Sequence, residues 1–122
     1  MNISFKTHNV ELDADTRAYA EEKASAVRKV LGHYDENDIS CEIVLARDDK
    51  HATGLVFRAD ITAYAGSEKV HAVGHGESIK AAIDIAKDDL VRRVVHEKDK
   101  RITLVRRGRA KIKEWLRFGR GE

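Results

Sequence analysis

A chain of 122 residues holds one domain rather than two, and with 36% charged but only 6% aromatic residues its core must be small and aliphatic. The longest apolar run, Ile43-Val44-Leu45-Ala46, is far short of the ~20 residues of a membrane span, no apolar segment follows Met1 as a secretory signal would, and the lone Cys41 excludes an intramolecular disulfide and a zinc-ribbon set of thiolates. The net charge of +2 divides unevenly, with 12 Lys/Arg and 4 Asp/Glu in residues 92–122 against 11 and 17 in residues 1–91, a polarity suited to setting one end against a polyanion in the cytoplasm.

Ile3 to Thr7 alternates apolar and polar residues, the period of a half-buried strand. Asp13 is a good N-cap for a helix that meets no Gly or Pro from Ala14 to Leu31; Ala20, Ala24, Val27 and Leu31 recur at helical spacing, and Gly32 is a natural stop. His33 to Asp38 reads as a polar loop. Ile39, Cys41, Ile43 and Leu45 form one face of a second strand. After a turn at Arg47 to His51, Leu55, Phe57, Ala59, Ile61 and Ala63 form one face of a third. Ala65-Gly66-Ser67 signals a tight hairpin into a fourth strand, Glu68 to Val73, closed by Gly74-His75-Gly76. A second helix runs from Ser78 to about Lys98, its buried arc formed by Ile79, Ile83, Ala86, Leu90 and Val94. Arg101 to Val105 is too short to assign, and the segment from Arg106 to Gly121 is basic, with Ile112, Trp115 and Leu116 at helical spacing. The order β-α-β-β-β-α predicts an α+β fold. Its first two strands are parallel neighbours through a crossover, the others pair antiparallel, and both helices pack on one face of a four-stranded sheet. The expected division is a domain over residues 1–101 and a basic tail over 102–122.

The opening Met1-Asn2-Ile3-Ser4-Phe5, the run Asn9-Val10-Glu11-Leu12 before a helix carrying Glu22-Lys23, and above all Ser78-Ile79-Lys80-Ala81-Ala82-Ile83-Asp84 followed by Ala86-Lys87 and Asp89-Leu90 resemble the ribosome hibernation promoting factors. These are also called ribosome-associated translation inhibitors or ribosomal subunit interface proteins, and the resemblance covers roughly residues 1–100. It implies a fold similar to the double-stranded RNA-binding domain with an added first strand. It also implies seating on the small subunit, between head and body, on ground shared by messenger and transfer RNA. Long members carry a further C-terminal domain that pairs ribosomes; the 21 residues after Arg101 are too few for one, so a short form is expected.

Twelve residues are the candidate RNA contacts. Lys23, Arg28 and Lys29 come from the first helix; Lys87, Arg92, Arg93, Lys98, Lys100 and Arg101 from the second helix and just beyond; Arg106, Arg107 and Arg109 from the tail. Helices packed side by side would make the first nine a platform for phosphates, whose neutralisation releases counterions. The plainer reading is a solvated face, and the helix dipole by itself favours cations at Lys98 and Arg101. For the tail, three readings stand: a segment that orders on RNA with Trp115 on a base, a membrane-surface helix, or a terminal helix docked on the domain.

The six histidines are too scattered for a zinc site, and Cys41 is expected in the core. Asp84, Asp88 and Asp89 could hold a metal in a nuclease, but no motif supplies a third ligand, base or nucleophile. No catalysis, cofactor, metal, small-molecule substrate, membrane contact or homo-oligomer is expected. The reading is a translation inhibitor that excludes messenger and transfer RNA from the small subunit. The alternative is a free-standing structured-RNA-binding module or RNA chaperone.

Overall fold

The computed structural model describes residues 1–48 and 54–97. Strand β1 (Asn2–His8) leads to helix α1 (Ala14–Val30), where the Asp13 carboxylate accepts the Thr16 amide at 2.7 Å. That bond holds the Asp13 carboxyl below its ordinary range. Leu31 caps the far end, its amide donating to the carbonyls of Val27 and Arg28. The expected polar loop contains a 3-10 turn (Glu36–Asp38), begun by Asp35, whose side chain accepts the Asn37 amide at 3.0 Å. Strands β2 (Ile39–Arg47), β3 (Phe57–Ala65) and β4 (Glu68–Gly76) follow, then helix α2 over residues 79–97. Ser78 opens α2, its hydroxyl accepting the Ala81 amide at 3.1 Å.

The sheet order is β1-β2-β3-β4, with β1 parallel to β2 and the remaining pairs antiparallel, as the crossover and hairpins predict. Ile43 stands between Phe5 and Ile61 across three strands, and Ile61 faces Ala72 on the fourth. These inward residues join Ala20, Ala24 and Val27 of α1 and Ile83, Ala86 and Leu90 of α2 in one buried cluster. Both helices therefore cover one face, and none of the described helices covers the other.

Two boundaries differ from the sequence reading. Leu55 is 65% exposed and Val56 is buried in its place, because residues 54–56 turn before β3 begins. The Val56 amide donates to Gly54, and the Val56 carbonyl accepts the Asp48 amide at 2.8 Å. Gly74-His75-Gly76 is not a stop but the end of β4, paired through Gly76 with Phe57. A Cβ on Gly74 would meet the Ala82 carbonyl and come within 2.5 Å of the Ala86 amide nitrogen; one on Gly76 would come within 2.6 Å of the Ala82 nitrogen. The two glycines let α2 lie directly against the strand.

Candidate nucleic-acid interface

The helices lie side by side, joined by a polar clasp. The Tyr19 hydroxyl donates to both oxygens of Asp84, at 2.7 and 2.6 Å, and Lys23 Nζ stands 3.5 Å from the same carboxylate. One turn away, Lys80 donates to Asp15 at 2.5 Å. Lys23 and Lys80 lie 5.0 and 5.3 Å from the centroid of the Tyr19 ring. The bond to Asp84 raises the Tyr19 hydroxyl pKa, and the bond to Asp15 raises that of Lys80. Asp84, a possible metal ligand by sequence, is thus the acceptor that couples α1 to α2. Nothing local marked the Tyr19–Asp84 pair, since 65 positions separate its members.

The other candidate contacts are distributed along these helices. Arg28 stands 3.7 Å from Glu36. Lys87 lies 2.5 Å from Asp88, whose carboxyl it holds below the ordinary range, and Arg93 donates to Asp89 at 2.9 Å. Lys29 and Arg92 are exposed and make no ion pair among the described residues. Lys98, Lys100, Arg101, Arg106, Arg107 and Arg109 lie outside the described residues, as does the rest of the tail. The helical surface is therefore mixed in charge rather than uniformly basic. The described residues carry 12 Lys/Arg and 17 Asp/Glu, whereas residues 98–122 carry 10 and 3.

Beside α2, between its C-terminal half and the edge of β4 that no described strand pairs, runs a groove of about 660 Å³ lined by both signs of charge, with Lys69, Arg92 and Arg93 beside Glu68, Asp89 and Glu97. Its volume is in the range of ligand clefts. On the sheet face away from the helices, Asp60 joins Arg58 and His71 at 2.5 and 3.2 Å, a cluster the sequence reading missed. Cys41 is 2% exposed and burial pushes its thiol up to about 12, as a core residue. Among the described residues no group of three His, Cys, Asp or Glu side chains could hold a metal ion, and no helix is long and apolar enough to cross a membrane.

Comparison with known proteins places this geometry. The family model described as sigma 54 modulation protein / S30EA ribosomal protein matches residues 3–102. The N-terminal domain of Thermus thermophilus Protein Y is similar at 25% identity and a TM-score of 0.62, over 77% of this chain and 96% of that one. A ribosomal subunit interface protein from Coxiella burnetii shares the fold at 15% identity and the same TM-score of 0.62, over 81% of this chain and 99% of that one. No curated protein matches. The match runs from β1 through α2, over the clasped helices and the glycine-bearing strand they rest on, and the chain belongs to the sigma 54 modulation protein / S30EA ribosomal protein family, that of the ribosomal subunit interface and hibernation factors.

Proposed function

We propose that the protein binds the small ribosomal subunit at the decoding region and keeps the ribosome idle by excluding messenger and transfer RNA. The family match over residues 3–102 carries this reading, because it runs from β1 through the end of α2. The action is occlusion in the cytoplasm by a bound domain, with no bond made or broken. The mixed charge of the helices suggests two roles. The shape of the domain over 1–101 supplies the fit, with Lys29 and Arg92 free for phosphates and Lys23 held by the clasp. The basic residues of the tail supply attraction to RNA at longer range.

Cosedimentation of the full chain with purified small subunits, against a duplex RNA of equal phosphate content, tests the reading. Preference for the subunit that falls steeply with salt, and displacement of messenger and transfer RNA, are expected. Equal binding to plain duplex without displacement would replace it with a free-standing RNA-binding module.

A further inference from the structure

The face of the sheet that no described helix covers has its own charge pattern. Strand alternation and register place Lys6, Arg58, Lys69, Glu42 and Asp60 on it, three cations against two carboxylates, in a set of described residues where acids otherwise prevail. Both carboxylates are engaged: Glu42 stands 3.7 Å from Lys6, and Asp60 joins Arg58 and His71. Asp60 is the shielded member of its cluster, its side chain 15% exposed against 52% for Arg58 and 48% for His71. It therefore orients both partners and leaves the remaining guanidinium donors toward solvent. A guanidinium held in place by a carboxylate loses less freedom on meeting a phosphate than a free one.

Two cross-strand pairs extend the pattern along the β3–β4 hairpin. His75 is paired with Arg58 at one end, and Lys69 with Tyr64 at the other, the Lys69 ammonium 5.8 Å from the tyrosine ring centroid. Arg58 and Tyr64 are six positions apart on β3, about 20 Å at the rise of an extended strand. Lys69 and His71 also line the groove at the β4 edge, whose wall toward α2 mixes Arg92 with Asp89 and Glu97, so the sheet face itself carries the run of donors. An aromatic ring flanked by spaced cations on an open sheet suits unstacked bases and a flexible backbone better than a rigid duplex.

We propose that the open face of β3 and β4 is a second nucleic-acid surface, taking a single strand of RNA with phosphates on Arg58, His75 and Lys69 and a base on Tyr64. It extends the ribosome-binding reading by a contact on the side opposite the helices, and it rests on that reading only for the source of the RNA.

The test is anisotropy of a short labelled oligouridine with the full chain, titrated across salt. The variants are Arg58→Gln/Lys69→Gln, Tyr64→Ala and, on the helix side, Arg28→Gln/Lys29→Gln. Arg58 and Lys69 are exposed, so the fold is expected to persist, which a thermal melt checks. Losing two phosphate contacts should flatten the slope of log affinity against log salt by about 1.4, at roughly 0.7 per contact on single strands. Tyr64→Ala should weaken binding about fivefold or more, a lost base stack. The helix-side variant should bind oligouridine as the parent does, yet cosediment less with small subunits. Every variant keeps the tail, so the readout is the change of slope against the parent rather than the slope itself. An unchanged slope in Arg58→Gln/Lys69→Gln overturns the sheet-face proposal whatever the subunits do. Failure of the parent to cosediment overturns the ribosomal reading, while the oligouridine slopes still decide this one.

Discussion

Cys41 and Ile83 show how single side chains bear on the stability of this domain. A thiol raised from its ordinary 9.0 to about 12 by burial holds its proton more tightly in the folded chain than in the unfolded one. Its contribution is whole below about pH 9.0 and is lost as pH rises toward 12. Urea unfolding should show stability falling through this alkaline window, and Cys41→Ala should show a shallower fall from a lower starting point. In the native protein a thiol reagent should label Cys41 only through opening, so the rate should rise with urea as the unfolded fraction does. Ile83 is fully buried on the inner arc of α2. Ile83→Ala should cost about 2–5 kcal/mol in the same unfolding experiment, and any loss of ribosome binding should track the unfolded fraction. A folded Ile83→Ala protein that no longer binds would contradict its place in the core.

Between elements, the closest fit is that of α2 on β4. A methyl at Gly74 has no space between strand and helix, so Gly74→Ala must move α2 outward. A loss of about 1–3 kcal/mol or more is expected, read as a lower urea midpoint. The clasp between α1 and α2 is a separate device. Tyr19→Phe keeps the ring under Lys23 and Lys80 but removes the donor to Asp84. Because the ring keeps its packing against the core and only one part-buried bond is lost, the thermal transition should change little. Small-subunit affinity should fall, since the spacing of the two helices is then held less firmly. Unchanged affinity in a cosedimentation titration would mean that the packing of the core alone sets that spacing.

At the scale of the whole molecule, charge and shape are divided along the chain. Without residues 106–122 the chain holds 16 Lys/Arg and 19 Asp/Glu, an acidic protein facing an acidic partner. Deleting them should lower affinity for the subunit, mainly through slower association, and flatten the salt dependence. Competition with messenger and transfer RNA should persist at higher protein concentration, because the matched family region ends at residue 102. An isolated tail that blocked translation as well as the full chain would overturn the occlusion role proposed for the domain.

Much of this fold is legible in the chain because burial repeats with the period of each element. The alternation of Ile39, Cys41, Ile43 and Leu45, and the helical spacing of Ile83, Ala86, Leu90 and Val94, mark the faces that meet in the core. With the crossover and the hairpin signals, they determine the order β-α-β-β-β-α and the side on which both helices lie. The family resemblance was legible too, in the run from Ser78 to Asp84. Local pattern misled at Gly74 and Gly76, where glycine serves the approach of a helix rather than a turn. It misled again at Leu55, where a turn breaks the alternation one residue before the strand. The candidate site was legible only as residue types. Whether a lysine is free, like Lys29, or tied to a carboxylate, like Lys23, depends on side chains brought together from distant parts of the chain. The Tyr19–Asp84 clasp and the Arg58–Asp60–His71 cluster belong to the tertiary structure for the same reason. Periodicity records which way one residue faces, whereas an ion pair or a hydrogen bond needs two elements at a definite distance, and packing alone sets that distance.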